Sequence, residues 1–361
     1  MGTVKWGPSG QRTGGRTVAR DKQTELAALR FGLGARSGEL TAAAADPRAW
    51  LLAQVNGAVP LAGTEPLAAS PEIYAALLAA REERREMKAD GTPALSAVRT
   101  AYQPHYRAQV LARAQSAALT QRPFAERRVH FWSNHFAISA DKGVVYGLAG
   151  TLENEAIRPR LNGRFADLLI AVEQHPAMIA FLDNQSSTGT QSPAAQFAAR
   201  RASQRRLTAN GGQARRPGIN ENPAREILEL HTLGVNGGYN QADVTSFAHV
   251  LTGWSIGGAR GRFGGGVTGR FFFREGLHEP GVKTVLGRSY RERTCARERR
   301  CSRISPVIRP PPASLPPSSR ATSLPAIRPR RRWPACSGPT WSRTATCRGS
   351  TPPWSIRRKR G

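Results

Sequence analysis

The sequence predicts a mainly α-helical protein: a single multi-helix domain with little or no sheet. Three observations carry this. Runs rich in Ala, Leu, Arg and Glu, all good helix formers, recur through the first two thirds of the chain. Apolar residues within them return at helical spacing. Prolines, asparagines and glycines stand where helices start and stop.

The period places helices at about 23–32, 46–55, 71–88, 94–121, 123–138 and 144–160, and then at about 164–174, 176–183, 192–208, 223–233 and 241–252. In "RPFAERRVHFWSNHFAIS", Pro123 suits a first helical position, and Glu126 falls in the first turn, where the helix dipole favours an acid. "FADLLIAVEQHPAMIAFLDN" is strongly apolar; Pro176 restarts a helix after His175, because proline blocks an interior hydrogen bond. "QFAARRASQRRLTANGGQARRPGIN" is a basic helix sliding into a glycine-rich loop. Asn222 and Pro223 suit the cap and first position of 223–233, and Gly234 suits its stop. Asn240 caps the next helix, with Asp243 in its first turn and Gly253 after its end. "GGARGRFGGGVTGRFFF" reads as a loop or short hairpin.

The 361 residues, 39% apolar, suffice for a core. No apolar run approaches the roughly 18 residues a membrane-spanning helix needs. The leader 1–22 is basic and glycine-rich without the apolar stretch of a signal peptide, so it is expected to be disordered and the default location cytoplasmic. The formal charge of +28 raises nucleic acid or an anionic surface as partners. Its distribution weakens that reading. Residues 291–361 hold 18 of the 53 Lys and Arg, only 2 of the 25 acids, 12 of the 26 prolines and all four cysteines.

This basic Pro/Arg/Ser-rich tail has no hydrophobic period and is expected to be disordered. Back-translation with GC-rich codons suggests more. Read one frame over, Leu315–Ser323 can yield "ATKLARHF", Trp341–Gly361 "VADGDLPRLYAALVDSPEAW" and Arg293–Pro312 "ADLRQGEAMLQDLARHPAT". These segments are amphipathic, acidic and helix-like. The expectation is a frameshift near Arg291–Arg293, with 23–290 a helical domain incomplete at its C-terminus. The cysteines (Cys295, Cys301, Cys336, Cys347) also lack paired zinc spacing.

The run "NENPAREILELHTLGVNGGYNQADVTSFAHVLTGW" concentrates acids, histidines and glycines. On a regular helix, Arg225 and Glu229 form an i,i+4 pair, and Glu226 and Glu229 share a face. His231 lies about 200° around from Glu229, so one ion cannot bind all three from this helix alone. Helix punctuation accounts for most of the run; Glu226 or Glu229 working with residues elsewhere is the alternative. His130 and His135 stand about 140° apart, which disfavours a shared metal, while Asn134 and His135 could face a pocket. Asp183 and Asn184 either cap a helix end or offer oxygen ligands to a hard cation. His278 and Glu279 cluster in a loop. His175 and His249 read as core or capping residues. Arg200, Arg201, Arg205, Arg206, Arg215 and Arg216 could meet phosphate, but no aromatics interleave with them in sequence, as single-strand binding requires.

Several separate motifs, "RFGLGA", "FWSNHFAIS", "HPAMIAFLDN", "NENPAREILELHTLGVNGGY", "DVTSFAHVLTGW" and "HEPGVKTVLG", resemble the bacterial domain-of-unknown-function 1800 family over roughly residues 24–290. The shifted-frame segments resemble that family's C-terminal portion. The resemblance implies a helical bacterial protein, often encoded beside a sulfatase-like partner, with a cell-envelope location possible and no established reaction. Two hypotheses follow. One is a helical scaffold or partner-binding protein of the envelope. The other is a hydrolase-like or metal-dependent enzyme, with a divalent cation as possible cofactor. Its site would converge from Asn134, His135, Asp183, Asn184, Glu226, Glu229 and His278. His135, Glu226, Glu229 and His278 are its catalytic candidates; Asp183, Asn184, Glu226 and Glu229 are its metal candidates. Nonspecific nucleic-acid binding through the tail stands third. Convergence in one cleft favours the enzyme; scatter favours the scaffold.

Overall fold

The computed structural model describes residues 22–63, 65–89, 95–207 and 218–290. The expectations for the leader, for the tail and for its reading frame fall outside these residues, Lys22 apart.

Helix α1 (Lys22–Leu26) runs into a π turn, Ala27–Phe31. Two short helices follow, α2 (Glu39–Ala44) and α3 (Pro47–Leu52). Next come α4 (Ser70–Ala89) and α5 (Leu95–Leu119), which pack on each other, and α6 (Pro123–His135). Short α7 (Gly143–Tyr146) and α8 (Ala149–Thr151) lead into a second π segment, Leu152–Ile157, and a 3-10 turn, Arg158–Arg160. Helices α9 (Phe165–Glu173), α10 (Pro176–Phe181) and α11 (Pro193–Leu207) follow. Helix α12 (Asn222–Glu226) continues as a third π segment, Ile227–Thr232, before α13 (Gln241–Leu251). Sheet is confined to two antiparallel hairpins: β1 (Trp254–Ile256) with β2 (Phe271–Phe273), and β3 (Lys283–Val285) with β4 (Arg288–Tyr290). The chain is mainly α, as its period predicts.

Most starts follow the expected chemistry. Pro123 and Pro176 occupy first-turn positions, and His175 caps α10, its Nδ1 accepting from the Ala177 amide. Asn240 and Asp243 form a reciprocal capping box on α13. Three expectations need correction. Asn222 is not a cap: it lies inside α12, and its amide instead donates to Asn220 Oδ1 at 3.1 Å. The helix expected over 144–160 breaks at Gly147–Leu148, where a Cβ on Gly147 would stand 2.6 Å from the Tyr102 ring. Helix α6 stops at His135, short of residue 138.

The core runs through the centre of the helices. Ile73, Tyr102, Phe136, Leu169, Ile227 and Phe247 are fully enclosed in it. Each such side chain contributes about 1.5–3 kcal/mol of burial. One charged cluster lies inside as well. Arg158 forks onto Glu126, with bonds of 2.8 and 2.6 Å, and reaches Glu153 at 2.7 Å. Ser133 Oγ and Arg113 Nε donate to the other Glu153 oxygen at 2.9 and 2.8 Å. Glu126 therefore does more than compensate a dipole: it is wholly buried and anchors an ion network.

Candidate functional site

A cleft of about 360 Å³ opens between α6, α10 and the π segment after α12. Helix α6 contributes Asn134 and His135 from its last turn. Helix α10 and the residue after it contribute Met178, Phe181 and Leu182. Glu226, Leu230 and His231 come from the end of α12 and the π segment. Its size falls within the range of small-molecule sites.

The π segment explains why Glu226 and His231 meet there. They are five residues apart, a spacing that on a regular helix splits side chains by about 140°. In a π segment the hydrogen bonds run i to i+5, so residues five apart stack on one face. Thr232 Oγ1 reaches Ile227 O in the same register, at 2.6 Å. The regular-helix geometry that separates His231 from its neighbours does not apply.

His231 is buried and paired with buried Glu173, Nδ1 to Oε1 at 2.7 Å. Nδ1–H donates to the carboxylate, and Nε2 is the ring nitrogen left for other partners. His135 Nε2 lies 3.2 Å from the His231 carbonyl. A carbonyl only accepts, so Nε2 carries the proton and Nδ1 keeps its lone pair. Burial pushes His135 below the ordinary histidine value of 6.5, and the charge of His231 adds to this; the bond to the His231 carbonyl only partly offsets them. At neutral pH His135 is uncharged.

Two polar side chains in the cleft have no hydrogen-bond or ionic partner among the described residues: Asn134 and Glu226. The other candidates are committed elsewhere. Asp183, in a left-handed backbone conformation (φ 57°), pairs with Lys142 at 2.6 Å. Asn184 is buried, its amide donating to Leu251 O and Trp254 O at 3.1 and 3.3 Å. Glu229 pairs with Arg225 at 3.3 Å on the helix surface, as its spacing predicts. His278 Nδ1 donates to Thr252 O at 2.8 Å, and Glu279 accepts from the Gln191 amide at 3.0 Å. The seven-residue convergence thus reduces to Asn134, His135 and Glu226. The metal quartet of Asp183, Asn184, Glu226 and Glu229 is not assembled. Among the described residues no three His, Cys, Asp or Glu side chains are arranged to hold a metal ion.

Sequence reasoning missed His231 as a site residue and Glu173 altogether. Glu173 carried a usable clue: an acid in the apolar run "FADLLIAVEQHP" is expected to be buried and therefore paired. His130, five residues before His135 on a regular helix, points away to Glu126 at 3.6 Å. Aromatic rings flank His135. Phe131, Phe165 and Trp132 have centroids 6.4, 6.5 and 5.4 Å from its ring, and Phe131 and Phe165 are more than a third exposed.

On the basic helix α11, the guanidinium groups of Arg201 and Arg262 lie over the ring of Phe197, at 5.7 and 4.9 Å. Folding brings Arg262 and the ring of Phe263 to this helix. Among the described residues no helix is long and apolar enough to cross a membrane.

A family model described as "Protein of unknown function (DUF1800)" matches residues 27–308. The match runs past the change of composition at residue 291. No curated protein and no solved structure gave a match.

Proposed function

The chain belongs to the DUF1800 family, and on that footing we propose that it is a hydrolase-like acid–base enzyme whose general base is His231. One observation carries the reading: His231, which lines a cleft that also holds uncommitted polar side chains, is bonded at 2.7 Å to buried Glu173 behind it. Glu173 fixes the tautomer and favours the imidazolium that forms when Nε2 takes a proton, the task an orienting carboxylate performs beside a catalytic histidine. In this reading His231 Nε2 removes a proton from water, the oxygen attacks an electrophilic carbon or phosphorus in the cleft, the bond to the leaving group breaks, and the proton on Nε2 passes to that group. The Asn134 amide donates to the negative charge that develops on the substrate. Neutral His135, with a free Nδ1, is a second proton acceptor. The proton-transfer form is preferred to the metal-dependent one because the expected oxygen donors diverge.

A panel of chromogenic esters, amides, phosphates and glycosides tests this. General acid–base groups contribute about 10²–10⁴-fold. Turnover of at least one panel class is expected, falling about 100-fold or more in His231→Asn with the fold retained by circular dichroism. No turnover on the panel, or turnover unchanged in His231→Asn, overturns the reading.

A second reading, the scaffold or partner-binding protein of the cell envelope, has its own support. Leu230, on the cleft wall, is 59% exposed, an apolar side chain open to a partner. The partner suggested by family resemblance is the product of a neighbouring sulfatase-like gene. Co-purification with that product, undiminished in His231→Asn, would favour it.

A further inference from the structure

We infer that the cleft selects a ligand bearing a cationic group, an ammonium or amidinium, and that Glu226 is the residue that selects it. The inference rests on the cleft described above and extends the proposed function to a substrate class.

The charge balance around the cleft carries it. Among the described residues no Lys or Arg lines the cleft. Two cations on or beside its supporting elements are already engaged. Lys142 donates to Phe181 O at 2.9 Å and pairs with Asp183; Arg225 pairs with Glu229 and Glu221. The Glu173 carboxylate is answered by His231, and His135 carries no charge at neutral pH. Glu226 remains as an unanswered carboxylate within the cleft wall, only part-buried and free of any partner among the described residues. In a chain with 53 Lys and Arg against 25 acids, that is the reverse of the general bias.

The aromatic surroundings point the same way. Phe181 lines the cleft directly; Phe131 and Phe165, outside its lining, flank His135 and stay 38% and 36% exposed. Aromatic faces attract cations through their quadrupole, and a carboxylate with aromatic rings is the pairing that recognises ammonium groups. An anionic ligand would meet Glu226 in repulsion and gain nothing from the rings. A neutral ligand would leave the carboxylate without a counter-charge.

The test is equilibrium binding rather than turnover. Benzamidine, benzamide and benzoate share a ring and differ in charge, and each is titrated by calorimetry against the full chain. Benzamidine is expected to bind about ten-fold or more tighter than benzamide, with benzoate weakest. Glu226→Gln should erase the preference, and Glu226→Asp should keep part of it, which separates lost charge from lost fold. Equal binding of the three probes overturns the inference. So do a preference surviving Glu226→Gln and an absence of saturable benzamidine binding at millimolar concentration. Silent chromogenic substrates with the binding preference present would instead remove the acid–base reading and leave this one standing.

Discussion

The π segment Leu152–Ile157 and the π segment Ile227–Thr232 each bring polar side chains five residues apart onto one face. In the first, Glu153 meets Arg158 directly, at 2.7 Å, and Glu126, Ser133 and Arg113 add further bonds to the two groups. In the second, Glu226 and His231 face a shared cleft; His231 is answered from behind by Glu173, and Glu226 has no partner among the described residues. A third pair at the same spacing, His130 and His135 on regular α6, diverges to two different environments. The comparison teaches that the π turn gives alignment, while burial decides its use. Enclosed on all sides, aligned charges must neutralise each other. Opened to a cleft, one of them stays without a partner among the described residues.

The most severe way to break the comparison is to remove the centre of the closed segment. Arg158→Ala leaves Glu126 buried without its cation and Glu153 with Arg113 alone. Such losses cost about 3–5 kcal/mol, readable as a drop in the urea midpoint. A loss under about 1 kcal/mol would show that the network is not enclosed. Glu173→Gln, behind the open segment, should cost less, about 1–3 kcal/mol, because it weakens one buried hydrogen bond and strips no ion of its counter-charge. It should also lower turnover, and full activity with this variant would detach Glu173 from the chemistry.

Acid sharpens the contrast further. Burial pushes Glu153 up, but the charges of Arg158 and Arg113 and the bond from Ser133 outweigh it, holding the carboxyl below 4.5. Burial likewise pushes Glu155 up, and bonds from His175 and Ser70 outweigh it. A depressed folded value means the stabilisation is complete above the unfolded value near 4.5 and is lost as pH falls through the folded one. Arg113 is half exposed, so Arg113→Ala should cost about 1 kcal/mol or less at pH 7. That difference should close as pH falls below 4.5. A gap that persists at pH 2 would assign the Arg113 contribution to packing instead. The smallest effect belongs to the open segment: Glu226→Gln should change stability by no more than about 0.5 kcal/mol. A larger loss would mean that its carboxylate has a structural partner.

The helices were legible because their periods and their prolines, asparagines and glycines survive in sequence. Helix α2 was not, since it starts at Gly38 without a capping side chain; Glu39 instead takes the Arg36 amide at 2.9 Å. The β3–β4 hairpin escaped for a comparable reason. Its two turn residues both need positive φ, and they are Leu286 (52°) and Gly287 (71°) rather than Asn-Gly. At the site, Asn134, His135 and Glu226 were legible as polar residues on helices of known phase. His231 was hidden because a π turn leaves no mark in residue type and shifts that phase. Asp183, Asn184 and His278 resembled site residues but have partners that only the fold supplies, whereas the pairing of Glu229 with Arg225 was legible in their spacing.

Asp243 divides its carboxylate between two distant parts of the chain. Oδ2 accepts from the Asn240 amide and closes the capping box of α13, while Oδ1 accepts from Leu286, 43 residues on, at the strained hairpin turn. A leucine held at positive φ is disfavoured on its own, so the turn depends on a bond that exists only once α13 has begun. The first turn of α13 and the β3–β4 hairpin should therefore open together as one cooperative unit. Their amides should share one exchange free energy with solvent deuterium, and Asp243→Asn should lower that value at both places at once.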